Sequence, residues 1–190
     1  MGTYRWRTVD IVVTSVLAVA FGVVFWAWNL FWSGPADAIP LPAKALLNGV
    51  WLLPAVLGGL VIRKPGAALY CEFLAAVVSA ILGAPWATVP LQGLLQGLAA
   101  ELVFLAFGYR VFSALVASLA AVGAGLAAGV FEIIFFYRDY AWTTFRLPYV
   151  LFVVLSSVAI AGFGGWTLTR SLARTGVLDQ FPSGRERNAV

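Results

Sequence analysis

Six apolar runs, each about long enough to cross a lipid bilayer, occupy almost the whole chain and are joined by connectors of a few residues. A membrane-spanning helix needs roughly 20 mostly apolar residues. The runs lie near residues 9–31, 43–62, 66–83, 89–107, 111–136 and 147–168. In hydrocarbon the backbone has to satisfy its own hydrogen bonds, so runs of this kind become helices. The expected fold is an all-α integral membrane protein: a six-helix transmembrane bundle over residues 1–172, then a short polar cytoplasmic tail over 173–190. Almost no chain is left for a soluble domain, so the function has to reside in side chains within or at the edges of the membrane.

Composition narrows the chemistry. Hydrophobic residues make up 62% of the chain and charged residues 11%, against about 25% charged in a soluble domain. There is no His and one Cys, which excludes internal disulfides, His-ligated metals and His proton relays. Cys71, in an apolar run, reads as a packing residue. The N-terminal run resembles a signal peptide in its basic start, but at about 23 residues and without a small-x-small cleavage site it reads as a retained span.

The net charge of +4 raises the question of a nucleic-acid partner, and the placement of the charges answers it. With both termini inside, the inner segments hold Arg5, Arg7, Arg63, Lys64, Arg110, Arg170, Arg174, Arg185 and Arg187; the outer ones hold only Lys44, Arg138 and Arg146. This is the positive-inside asymmetry. The basic excess encodes topology.

The outer connector from Ser33 to Pro42 is Pro-rich and cannot continue a helix. The inner turn Arg63-Lys64-Pro65-Gly66 places cations at one helix end and a proline at the start of the next. No internal repeat is visible, which counts against an inverted-repeat transporter. Small residues recur at helical spacing: Thr14, Ala18 and Gly22 on the first run, Gly93 and Gly97 on the fourth, Ala121, Gly125 and Gly129 on the fifth. Such stripes permit close approach between helices. They serve either packing within the bundle or a groove for another membrane subunit, and the terminal position of the first run makes Thr14, Ala18 and Gly22 the expected contact for a partner subunit.

Three carboxylates, Glu72, Glu101 and Glu132, lie deep within the runs. An intramembrane charge costs at least ~2.5–3.5 kcal/mol on insertion scales, so each needs a partner, a proton or a wet cavity. Glu132 falls roughly 9 Å below the outer marker Arg138 at ~1.5 Å per residue. By the same rise Gln96, Gln92, Asn48 and Trp51 reach a similar depth, and together they line a cavity open to the outside. Trp51 lies deep enough to be a stacking wall rather than an interfacial anchor. Glu72 lies deeper and suits the floor. Glu101 is about 140° round its helix from Gln96 and shares a face with Gly93 and Gly97, so it reads either as a structural group or as a ligand contact. The candidate ligand-binding set is therefore Glu132, Gln96, Trp51, Glu72, Asn48 and Glu101. Carboxylates, amides and aromatic faces suit a flat, cationic or amino-substituted heterocycle. No run interior offers the Arg or Lys that a purely anionic substrate would require.

The stretches Arg63-Lys64-Pro65-Gly66-Ala67-Ala68-Leu69 with Glu72, Gln96-Gly97-Leu98-Ala99-Ala100-Glu101-Leu102-Val103-Phe104-Leu105 and Thr175-Gly176-Val177-Leu178 resemble the YkoE family in the same order over nearly the full length. Its members are substrate-binding S components of energy-coupling factor (ECF) vitamin transporters. The resemblance implies a six-helix bundle binding thiamine or its hydroxymethylpyrimidine (HMP) precursor, and it implies partners: a transmembrane coupling subunit and two cytoplasmic ATPases. The chain carries no phosphate-cradling Gly-rich loop ending in Lys-Ser/Thr, so ATP hydrolysis belongs on another polypeptide. The chain itself is expected to be neither enzyme nor cofactor protein. The competing class is a proton-coupled secondary carrier of small organic cations.

Overall fold

The computed structural model describes residues 4–185; Arg187 and the end of the expected tail lie outside the described residues. Six major helices follow one another: α1 (Thr8–Trp32), α2 (Ala43–Ile62), α3 (Ala67–Ile81), α4 (Val89–Ala106), α5 (Ala114–Phe135) and α6 (Trp142–Arg174). A short α7 (Pro182–Arg185) closes the described chain. Among the described residues there is no strand.

Five of these helices, all but α3, are long and apolar enough to cross a membrane. The third expected run is shorter than its hydropathy suggests. It starts after Gly66 and ends before Gly83, which take φ of 87° and 119°; both values are readily adopted by glycine and break the helix. Its 15 residues span only about 22 Å. By contrast α6 starts five residues before the expected 147 and has 33 residues.

The helices form a closed ring: α3 lies between α1 and α4, α4 packs on α5, α5 on α6, α6 on α2, and α2 returns to α3. α2 is the most enclosed, every residue from Pro54 to Ile62 being buried. Its first half, Ala43–Leu52, is a ten-residue 3-10 helix, although such runs rarely exceed 3–4 residues. Two features hold this tight winding. Ser156 of α6 accepts a hydrogen bond from the Gly49 N–H at 2.9 Å and donates one to the Leu46 carbonyl at 2.6 Å. Gly49 also has no space for a Cβ against Ser156. In a 3-10 helix residues i and i+3 eclipse, so Ala45, Asn48 and Trp51 share one edge.

The small-residue stripe of α1 corrects the expectation of a partner-docking face. Thr14, Ala18 and Gly22 are all buried, turned inward onto α3. A Cβ on Gly22 would lie 2.5 Å from the Val78 Cβ and 2.9 Å from the Ala75 carbonyl oxygen. The stripe is consumed by packing within the bundle, while Ile11, Val12, Val16, Val19 and Val23 form the exposed face. Gly22→Leu therefore acts on folding. Overpacking costs typically 1–3 kcal/mol, and here part of the obstacle is backbone. The expected result is a lower yield of monodisperse protein by fluorescence-detected size exclusion, with ligand affinity falling alongside it.

The polar tail is also part of the fold. Leu178 and Phe181 are buried against Leu57, Val61 and Ile62. The Ser183 hydroxyl donates to the Val61 carbonyl at 2.9 Å, one of the carbonyls that a helix end leaves without an internal partner. Beside it, Asp10 in the first turn of α1 is fully buried and accepts from the Arg7 backbone N–H at 2.7 Å, from the Arg7 guanidinium at 2.9 Å and from the Lys64 ammonium.

Candidate functional site

Two close helix contacts create the principal cavity. Gly93 and Gly97 bring α4 onto α3: a Cβ on Gly93 would collide with Ala76, and one on Gly97 would lie 3.0 Å from the Leu69 Cα. On the opposite side the 3-10 half of α2 presents Asn48 and Trp51. The cavity between them, about 410 Å³, lies at the end of the bundle that carries the α1–α2, α3–α4 and α5–α6 connectors.

Five of the six expected ligand residues line it: Asn48, Trp51, Glu72, Gln96 and Glu132. Glu132 of α5 is the organising group. Its carboxylate accepts from Asn48 Nδ2 and Gln92 Nε2, both at 2.8 Å, and from the Tyr149 hydroxyl at 2.7 Å. An ionised carboxylate only accepts, so each amide has to present its NH2 group to it. This turns Asn48 Oδ1 away, and Oδ1 is buried with no hydrogen-bond partner. Glu72, fully buried, accepts from the Ala55 N–H at 2.9 Å through Oε2. That N–H belongs to the first turn of the α-helical half of α2, which lacks an internal acceptor. Glu72 Oε1 is again buried without a partner. Buried polar atoms are paired in most native structures; here two acceptors on cavity-lining residues are unsatisfied. The Gln96 amide is bonded to no other described residue.

The walls are aromatic. Trp51 packs edge-on against Trp32 with centroids 5.1 Å apart. Phe25, Trp26, Phe136, Tyr137 and Tyr149 are the other aromatic residues of the lining. The lining contains no Lys or Arg. Outside the lining, Lys44 pairs with Asp37 at 2.6 Å and sits over the Trp32 ring at 4.5 Å. Trp51→Ala should remove most of any ligand-induced change in tryptophan fluorescence and weaken binding roughly tenfold, from stacking of ~0.5–1.5 kcal/mol. Trp86, 61% exposed and outside the lining, is the control expected to leave both unchanged.

Glu101 is the correction. It does not line the cavity. Its carboxylate caps α3, accepting from the N–H groups of Gly66 at 2.6 Å, Ala68 at 2.9 Å and Leu69 at 3.2 Å, and from the Tyr109 hydroxyl at 2.6 Å. A helix N-terminus carries unpaired N–H donors and a partial positive charge, which an anion satisfies. Burial, reinforced by the adjacent carboxylate, pushes the Tyr109 hydroxyl pKa up, so it stays a donor. Sequence reasoning also missed Tyr149, whose hydroxyl gives no positional signal in an apolar run, together with Asn29 and Ser79, hydrogen-bonded to each other at 3.4 Å in the cavity wall.

Three comparisons bear on this arrangement. Residues 9–127 match a family model described as "ABC-type cobalt transport system, permease component". The chain is 34% identical over 184 residues to a Bacillus subtilis (strain 168) protein named "Putative HMP/thiamine permease protein YkoE", covering 95% of this chain and 92% of that one. A solved structure titled "Crystal structure of an S-component of ECF transporter" superposes with a TM-score of 0.91 at 33% identity, covering 97% of this chain and 94% of the other. The sequence likeness runs through the helices that build the cavity, and the fold likeness encloses them in the same bundle. This multi-pass membrane protein belongs to the YkoE family of ECF-transporter S components.

Proposed function

We propose that the chain captures thiamine or its hydroxymethylpyrimidine precursor in the aromatic cavity, for import driven by ATP hydrolysis on partner subunits. In this reading α3 is a sixth, short span, both termini are cytoplasmic and the cavity faces outward, consistent with the nine-to-three distribution of basic residues. The observation that carries it is the pair of unsatisfied buried acceptors, Asn48 Oδ1 and Glu72 Oε1, in a cavity with two carboxylates and no cation. A 4-aminopyrimidine supplies a flat ring for the aromatic walls and an exocyclic amine that donates two hydrogen bonds. In thiamine the thiazolium adds the positive charge that this lining favours. Cobalt, the cargo in the matching family model's description, fits less well: among the described residues no group of three His, Cys, Asp or Glu is placed to hold a metal.

Calorimetry on the purified protein with thiamine, HMP and riboflavin tests the reading. Saturable binding of one or both pyrimidines without riboflavin binding is the expected result; absence of any pyrimidine binding overturns it. Uptake into liposomes by the chain alone under a pH gradient would instead favour the proton-coupled carrier.

A further inference from the structure

Ser156 of α6 is outside the cavity lining, yet it bonds to the segment of α2 that supplies Asn48 and Trp51. Its hydroxyl accepts from the Gly49 N–H at 2.9 Å and donates to the Leu46 carbonyl at 2.6 Å. Leu46 and Gly49 are three residues apart, so this carbonyl and this N–H are the pair that one 3-10 turn brings together. The hydrogen bonds of a 3-10 helix have poor geometry, which is why long ones are uncommon. A hydroxyl bridging one such pair supplements the winding at its weak point. Gly49 completes the fit: a Cβ there would collide with the Ser156 carbonyl oxygen, so the close contact needs a residue without a side chain.

The winding decides where Asn48 points. A 3-10 helix turns about 120° and rises about 2.0 Å per residue, against about 100° and 1.5 Å for an α-helix. Asn48 stands four residues before Leu52, the last residue of the 3-10 half. Rewound as α-helix from that end, Asn48 would turn by roughly 80° and move along the axis by about 2 Å. Its amide would leave the Glu132 carboxylate, now 2.8 Å away, and its unpartnered Oδ1 would leave the cavity with it. Trp51, one residue from the junction, would turn by only about 20°. α6 also fixes the other side of this contact, because Tyr149, seven residues before Ser156, donates to Glu132 at 2.7 Å.

We propose that Ser156 is a positioning residue for the ligand site. Its hydroxyl holds the winding that brings the Asn48 amide onto Glu132 and leaves the Asn48 Oδ1 acceptor for the ligand's amine. The role rests on the aromatic cavity being the pyrimidine site. The next residue, Ser157, supplies a control. It is also buried, but its hydroxyl is turned to α5, donating to the Ala121 carbonyl at 2.9 Å.

The test is a double-variant cycle on the purified full chain, read by calorimetry with HMP and thiamine. Asn48→Ala and Ser156→Ala should each weaken binding roughly tenfold. The two together should also lose roughly tenfold, because one change displaces what the other removes. Ser156→Ala combined with Gln96→Ala, on α4, should instead give the product of the separate losses. Ser157→Ala should change affinity less than about twofold, whatever it does to the melting temperature. Amide hydrogen exchange across residues 43–52 should be faster in Ser156→Ala, which reports the winding itself. Ser156→Cys, whose thiol is a weak donor and acceptor, should fall between wild type and alanine, and it carries the same cycle if Ser156→Ala does not purify. Wild-type affinity in the Ser156 variants, unchanged exchange, a loss that multiplies with that of Asn48→Ala, or equal non-additivity with Gln96→Ala overturns the positioning role, while binding by the wild type upholds the ligand reading. A wild type that binds neither pyrimidine overturns both.

Discussion

Glu72→Gln should weaken thiamine or HMP binding by roughly 5–150-fold while leaving the bundle folded. The reason is geometric. Glu72 Oε2 accepts from the Ala55 N–H at 2.9 Å, so an isosteric amide has to keep its oxygen there. Its NH2 group then replaces Oε1, the buried acceptor without a partner. An NH2 group only donates, so it cannot accept from the ligand's amine as a carboxyl oxygen can. Losing one hydrogen bond to a buried polar group costs about 1–3 kcal/mol, which sets the expected range at tenfold per 1.4 kcal/mol. Glu132→Gln should weaken binding for a different reason. All three Glu132 partners are donors, so a side-chain NH2 forces Asn48, Gln92 or Tyr149 to turn, and the Asn48 acceptor is misplaced. Gln96→Ala removes an amide with no other partner and should sit at the mild end of the range. Calorimetry on the three folded variants checks this. Wild-type affinity in both Glu variants would place the site elsewhere.

Most of this cavity was legible because the membrane makes polar residues scarce. In a chain with 11% charged residues, helical rise alone brings Asn48, Trp51, Gln96 and Glu132 to one level, and all of them line the cavity with Glu72. Where reasoning from spacing failed, the physics lay between helices. The stripe Thr14, Ala18, Gly22 permits close approach, but a sequence does not say to which neighbour; Val78 and Ala75 of α3 fill that role. Spacing alone allows Glu101 two roles, because the deciding partners are the N–H groups of Gly66, Ala68 and Leu69 at the start of another helix. The 3-10 half of α2 was invisible as well. The hydropathy of Ala43–Leu52 is that of any span, and its tight winding is held by Ser156, over a hundred residues away. Asp10 gives no signal of its own because it is the second residue of the first run, next to cations that read as topology signals.

Asp10→Asn is expected to be the most destabilising conservative change in the chain. Asp10 is fully buried, and Lys64, whose side chain is 10% exposed, directs its ammonium at it. Removing one partner of a buried ion pair leaves an uncompensated charge, at a cost of roughly 3–5 kcal/mol. The neutral amide also offers its NH2 to two cationic donors. Arg7 suffers less: its side chain is 45% exposed, so water replaces the lost contact. Lys64 keeps one bond, to the Arg5 carbonyl at 2.9 Å, which does not neutralise the ammonium. The damage should spread to the joint between α1, the α2–α3 turn and the folded-back tail, because Arg7 also donates to the Gln180 carbonyl at 3.2 Å. Adding Lys64→Met separates the causes. Replacing both members of a buried pair by groups that need no counter-charge is often neutral, so Asp10→Asn with Lys64→Met should recover most of the thermal stability lost by Asp10→Asn alone. Melting temperatures of the single and double variants, read by tryptophan fluorescence, decide it. A double variant no more stable than Asp10→Asn would show that Asp10 acts through the α1 start and the Arg7 backbone bond at 2.7 Å, with Lys64 a bystander.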